Sequence, residues 1–410
     1  MQSASHILRG GRVARDGSAP PEALDIVIGA DGRIVDLAPT IPSTSGVIEI
    51  DLAGKLVVPG FVDIHQHLDK TRTLRHIANP QGTLVGAIAA FSKYAVGMSR
   101  EDIAARAERT IDACLARGTV AIRSHANIDA DTRIRGVEAL VELRERRKDR
   151  FTLQVVAFLT SGALRDGADS RLWLGDGIRA GADVVGGAPS LADDPEAFLD
   201  LLFEAADRHG LPLDLHLDEH LDSTRNLFDA VVDRTHALGL QGRVVLGHCS
   251  VLSALPAAEA LRIVESLTGA GIGVVTLPTA NLFLQGRDAD RLAPRGLTRL
   301  IELLDAGVPV AAASDNIQDP FVPIGTGDML EIARWTLLAG HLGVGDLARA
   351  FDMVTATPAA LMGLGGDYGI HVGARADLLV AAARDPADLV AGGSLARTVL
   401  LGGHVVAGEL

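Results

Sequence analysis

Eight short apolar runs recur through the middle of the chain, at residues 56–67, 119–125, 152–159, 183–188, 212–218, 243–249, 271–277 and 308–315. Each is rich in Val, Ile or Leu at successive positions, the pattern of strands buried on both faces. Helical patterns lie between them. Ser99 is placed as an N-cap, Glu101 and Asp102 follow in the first turn, and Ile103, Ala107, Ile111 and Cys114 recur at helical spacing before Gly118. Similar blocks cover 194–209, 223–238 and 256–269. Strand and helix alternating eight times predicts an α/β TIM (β/α)8 barrel over residues 56–368. A doubly wound open sheet is the rival architecture, but no G-x-G-x-x-G follows the first run, so the dinucleotide fingerprint is missing.

The two ends have another texture. Residues 1–55 and 369–410 carry short strand-like runs broken by Gly, Asp and Pro. Such runs predict hairpins, and the two ends together predict one small β-sandwich domain beside the barrel. A chain of 48% hydrophobic but only 3% aromatic residues suits a core of Ala, Val, Leu and Ile. The net charge of −14 argues against nucleic acid or an anionic membrane surface as partner. Cys114 and Cys249 cannot make a disulfide framework, and the first residues lack an apolar signal core. The expectation is a cytoplasmic protein without a membrane span.

Polar residues gather where a barrel keeps its chemistry, at the C-terminal strand ends. The first strand ends in PGFVDIHQHLDK, and His65 and His67, two apart, project to the same side. Later strands are apolar until His216 in LDLHLDEH, His248 in VLGHCS and Asp315 in AAASDNIQDP. Buried ionisable groups are costly unless paired or bound to metal. Imidazoles and a carboxylate converging on one barrel end therefore predict a metal site.

This constellation resembles the amidohydrolase superfamily: PGFVDIHQHLDK, HLDE, GHCS and SDNIQDP stand in that family's order over nearly the whole chain. Within it, LQVVAF, HLDE and DNIQDPFVPIGTGDM are most similar to the cytosine deaminase group. HLDK, QVVAF, VVGG and SDNIQD also resemble N-isopropylammelide isopropylaminohydrolase. The resemblance implies that His65, His67, His216 and Asp315 hold one divalent metal ion, Zn2+ or Fe2+. His248 would orient the activated water and polarise the substrate, and Asp315 would accept the water's proton. Glu219 would protonate a ring nitrogen and pass a proton to the departing amine, while Gln154, read as ending the third strand, would bond the ring's amide edge. Two-metal members carry a carboxylated lysine on the fourth strand; ADVVGGAPS offers none, which favours a single metal.

The chain also departs from the cytosine deaminase pattern. Asn316 replaces a second aspartate, and an amide both donates and accepts, so the preference for an amino substituent should weaken. Phe321 replaces a tryptophan, keeping a flat wall without the indole donor. Lys70 either contacts substrate or pairs with Asp69 or another rim acid. His125 is read as ending the second strand and lining the pocket, His220 as a loop residue, and Cys249 as packing. The function expected is a metal-dependent hydrolytic deaminase removing an exocyclic amine, as ammonia or an alkylamine, from a cytosine-, isoguanine-, creatinine- or triazine-like heterocycle. Cyclic-amide hydrolysis is the alternative within the superfamily, and a non-catalytic binding barrel the alternative outside enzymes. The partners expected are a small heterocyclic substrate and, by resemblance, further copies of the chain in a homo-oligomer.

Overall fold

In the computed structural model, which describes residues 4–160, 169–392 and 396–410, the strands fall into two separate sheets. The chain opens with β1 (Ala4–Val13), β2 (Glu22–Gly29), β3 (Ile34–Ala38), β4 (Ile48–Asp51) and β5 (Leu56–Pro59). Then come β6 (Phe61–Gln66), β7 (Thr119–Ile128), β8 (Thr152–Leu159), β9 (Val184–Gly187), β10 (Leu213–Leu217), β11 (Val244–His248), β12 (Gly273–Thr276) and β13 (Val310–Ala312). It ends with β14 (Leu378–Ala381), β15 (Arg397–Leu401) and β16 (His404–Ala407).

Strands β6 to β13 pair in sequence order, every pair parallel, as an eight-stranded barrel with helices in the connections. The seam between β13 and β6 is stitched just past β13: Asp315 N donates to His65 O at 2.9 Å and His67 N to Asp315 O at 3.2 Å. Barrel closure and the expected metal ligands thus share one stretch of backbone. A continuous apolar layer packs helices onto strands, including Ile111, Leu140, Leu202, Val264 and Leu303.

The expected strand at 56–67 is two strands in two sheets. The break falls at Gly60, where a Cβ would lie 2.3 Å from Val120 Cγ1, so only glycine lets the chain pass. Gly60 also donates to Asp377 O at 3.0 Å and accepts from the Tyr368 hydroxyl at 2.7 Å. Residues 56–59 therefore pair with β1 and β14 in the satellite sheet, and the barrel strand begins at Phe61. The expected ranges also enclose residues 1–3, 161–168 and 393–395, which lie outside the described residues.

The satellite sheet runs β16-β15-β14-β5-β1-β2-β3. Strand β1 forks it: β2 lies on one edge, while β4 pairs with residues 6–9 and β5 with residues 12–13 on the other. The strands of both termini enclose Leu8, Ile26, Ile28, Val57, Leu378 and Leu400 as a second core. Helices follow the sequence pattern closely at Arg100–Leu115, where Ser99 Oγ caps Asp102 N at 3.2 Å, and at Pro195–His209 and Ala257–Gly269. The block at 223–238 begins later, at Phe228, because Asp218 Oδ2 accepts from Leu227 N at 2.8 Å and holds the intervening loop. No described helix is long and apolar enough to cross a membrane.

Candidate active site

His65 lies on β6, His67 just past its end, His216 on β10, His248 at the last position of β11, and Asp315 beyond β13. Strand ends turn sharply here. Asp218, His248, Cys249 and Asp315 adopt left-handed backbone, with φ of 49°, 67°, 49° and 60°. Such conformations cost a non-glycine residue of order 1–3 kcal/mol and persist where the surroundings over-determine them. Gly247 makes room, since a Cβ there would meet His65 Cε1 at 2.8 Å.

The ring nitrogens converge. His216 Nε2 lies 3.2 Å from His65 Nε2 and 3.0 Å from His67 Nε2, and Asp315 Oδ1 is 3.3 Å from His67 Nε2 and 3.8 Å from His65 Nε2. Burial, then neighbouring positive charge, holds all three imidazoles well below the usual histidine range. They are neutral, with lone pairs to offer. Burial, then Asp319, pushes Asp315 up to about 8, because a dry carboxylate lacks a counter-charge. Three neutral imidazoles and one carboxylate within 4.8 Å fit a single divalent cation. Strand β9, Val-Val-Gly-Gly, offers no lysine to bridge a second one.

Beneath this group sits another. Arg123 Nη1 donates to Asp214 Oδ2 at 2.7 Å, and His125 Nε2 lies 3.2 Å from Asp214 Oδ1. Gln154 belongs here rather than against substrate. It is the third residue of β8, accepting from Arg123 Nε at 3.0 Å and donating to Met362 O at 2.8 Å. The strand runs on to Leu159, so Phe158 and Thr160 reach the cavity instead. His125 is likewise corrected: β7 continues to Ile128, which buries His125 against His65 at 4.1 Å between ring centres and brings Asn127 to the cavity.

The cavity above the ligands encloses about 410 Å3, within the ~300–1,000 Å3 of small-molecule sites. His67, His216, Glu219, His248, Asp315 and Asn316 line its floor and walls. Glu219 is 10% exposed at its side chain, with Oε1 3.6 Å from His248 Nδ1; desolvation and then Asp315 push it well above the ordinary carboxylate range. Burial, then His125, lowers His248 to about 3. Lys70, 4% exposed, does not pair with Asp69. Its Nζ lies 2.8 Å from His67 Nδ1, with the rings of Phe91, Phe158 and Phe321 at 5.7, 5.9 and 5.3 Å. Phe321 is a wall of the cavity, as is Asn316, whose Nδ2 donates to Asp319. Cys249 is buried in the outer apolar layer, and His220 sits by Asp218 in the loop after β10.

Sequence reasoning overlooked Arg123, Asn127, Thr160, Asp214 and Asp319. A signal existed for two of them: IRSH and LDLH each place a charge inside an apolar strand two residues before a histidine.

A sequence profile described as Amidohydrolase family matches residues 49–167 and 99–407. The chain is 35% identical to a pterin deaminase of Rhizobium rhizogenes, over 93% of this chain and 87% of that protein. It is 30% identical to an N-isopropylammelide isopropyl amidohydrolase of a Pseudomonas species, over 81% of each. A 5-methylcytosine deaminase from Klebsiella pneumoniae, solved with 5-fluorocytosine, superposes with a TM-score of 0.89 at 29% identity over 98% of both chains.

Proposed function

The chain belongs to the amidohydrolase family, and from that premise we propose that it is a deaminase using one divalent cation to replace the exocyclic amine of a pyrimidine-type ring with oxygen. The observation that carries this reading is Glu219: a largely desolvated, proton-holding carboxyl beside His248 and Asp315 in the cavity. A carboxyl with a raised pKa is what an enzyme needs to protonate a weakly basic ring nitrogen near neutral pH.

A cation held by His65, His67, His216 and Asp315 would supply Lewis acidity and lower the pKa of a water. The protein's residues then divide the proton work. Asn281 Nδ2 donates to Ser250 Oγ at 3.0 Å and to His248 Nδ1 at 3.3 Å, which puts the imidazole proton on Nε2. His248 therefore meets the reacting centre as a donor, its Nε2 4.0 Å from Asp315 Oδ2. Asp315 accepts the proton of the attacking water. Glu219 gives its proton to the ring nitrogen, takes up the remaining proton of the attacking water and passes it to the amine as the C–N bond breaks; the proton held by Asp315 then restores Glu219. Phe91, Phe158 and Phe321 form the flat apolar walls.

Similarity to a pterin deaminase and a 5-methylcytosine deaminase supports an aminopyrimidine ring, alone or fused to a second ring. The experiment is ammonia release from pterin, cytosine, 5-methylcytosine and a triazine bearing a free amino group by metal-loaded protein. Glu219→Gln is expected to lower turnover by ~10²–10⁴-fold with metal content unchanged. No ammonia from any of these substrates, or full turnover in that variant, overturns the reading.

A further inference from the structure

Asn316 stands beside Asp315 on the cavity wall, and as an amide it could offer a ligand either a donor or an acceptor. Asp319 removes the choice. Its Oδ1 accepts two backbone protons, from Phe321 N at 2.9 Å and Val322 N at 3.0 Å. Its Oδ2 lies 2.6 Å from Asn316 Nδ2. A fully buried carboxylate is an acceptor only, so the Asn316 nitrogen must face it, and Oδ1 is the amide's uncommitted polar atom. We propose that Asp319 is a positioning residue that fixes the polarity of Asn316, so that the site reads an N–H donor on the substrate's reacting edge and disfavours an oxo group there.

This rests on the deaminase reading and gives it a consequence: the amine-bearing substrate is held and the oxo product meets oxygen against oxygen. It also reverses the expectation that an amide at this position weakens the preference for an amino group. Asn316 is a neutral stand-in for a carboxylate oxygen. Asp319 is pushed up by burial only to about 6, which leaves it an ionised acceptor at neutral pH.

The test compares ligand pairs that exchange an amino for an oxo group, with the ring N–H that comes with it, cytosine against uracil and pterin against its 2-oxo counterpart, by dissociation constants on metal-loaded protein, and reads the change of each ratio between variants. Wild type should bind the amino member more tightly. In Asp319→Asn, the two backbone donors still demand the side-chain oxygen, so the new NH2 faces Asn316 and turns it over. The amino-to-oxo preference should fall by roughly tenfold or more and reverse. Asn316→Leu, which keeps the volume, should bring the ratio near one, and it decides the matter if the Asp319 variant does not fold. An unchanged ratio in either folded variant, or equal weakening of both ligands, overturns the proposal. Should wild type bind no member of either pair, the deaminase reading falls. The polarity is then decided by exchange of the Asn316 side-chain amide protons: protection in wild type but not in Asp319→Leu supports it, and equal exchange overturns it.

Discussion

Two groups of imidazole and carboxylate share the barrel interior, touching through His65, and they meet the cost of burial in opposite ways. In the lower group burial pushes Asp214 up, yet His125 and Arg123 outweigh it and hold Asp214 below the usual range. The Arg123 guanidinium is itself satisfied by Asp214, Gln154 and Leu361 O, so that group carries its own counter-charge. In the upper group Asp315 rises to about 8 and three imidazoles are neutral. Lys70, a cation lining the same cavity, is engaged with His67. Both groups have the spacing to ligate a metal, but only the upper one has an unmet need for positive charge. Spacing nominates a site; charge balance selects it.

The most severe way to break this comparison is Asp315→Asn. It removes the one anionic ligand, and metal content should fall to background while turnover drops by at least about 10³-fold, several kcal/mol of lost stabilisation. Asp214→Asn should do the reverse. It leaves Arg123 buried opposite an amide, which costs about 3–5 kcal/mol of folding stability, while one equivalent of metal still binds. Metal analysis and denaturant melts on the two variants give a crossed pattern. If Asp214→Asn instead lost its metal at unchanged stability, the lower group would be the metal site.

A gentler probe is pH. In metal-free protein Asp315 titrates near 8, far above the ~3.9 of an unfolded aspartate. Between those values the folded state holds a proton that the unfolded state has lost, so stability falls as pH rises through the window. Metal must displace that proton, whereas neutral histidines release none. Apparent affinity should therefore strengthen by roughly tenfold per pH unit from 6 to 8, with about one proton released. Calorimetric titration of Zn2+ in two buffers of different ionisation enthalpy measures both. Asp214, already ionised, contributes nothing in this window, so a flat affinity would remove the distinction between the groups.

The alternation of apolar runs made the barrel legible, because strands buried on both faces and helices with one apolar stripe leave different periods in a sequence. The histidines that converge at the barrel end were legible for a related reason: His216 and His248 interrupt apolar strands where a polar residue is unexpected. The break at Gly60 was not, since LVVPGFVDI reads as one apolar run and only the approach of Val120 divides it. Nor was the role of Asp319. Its effect depends on which atom of Asn316 it engages, a choice made by two backbone donors three-dimensionally adjacent to it. A polar residue inside a strand was harder to place. Gln154 is half-buried, and its place is set by partners distant in sequence, Arg123 and Met362, which a pattern along one strand does not carry.

Gln154 gives the smallest expected effect and the sharpest check on that placement. Gln154→Ala removes the acceptor of Arg123 Nε and the donor to Met362 O. One buried donor left without a partner costs about 1–3 kcal/mol, less than Asp214→Asn because Arg123 keeps its ion pair. Stability should fall accordingly while KM, metal content and the amino-to-oxo preference stay at wild-type values, since no atom of Gln154 faces the cavity. A raised KM at unchanged stability would bring Gln154 to the substrate. It would then leave Arg123 short of an acceptor, and the lower group would no longer be electrostatically closed.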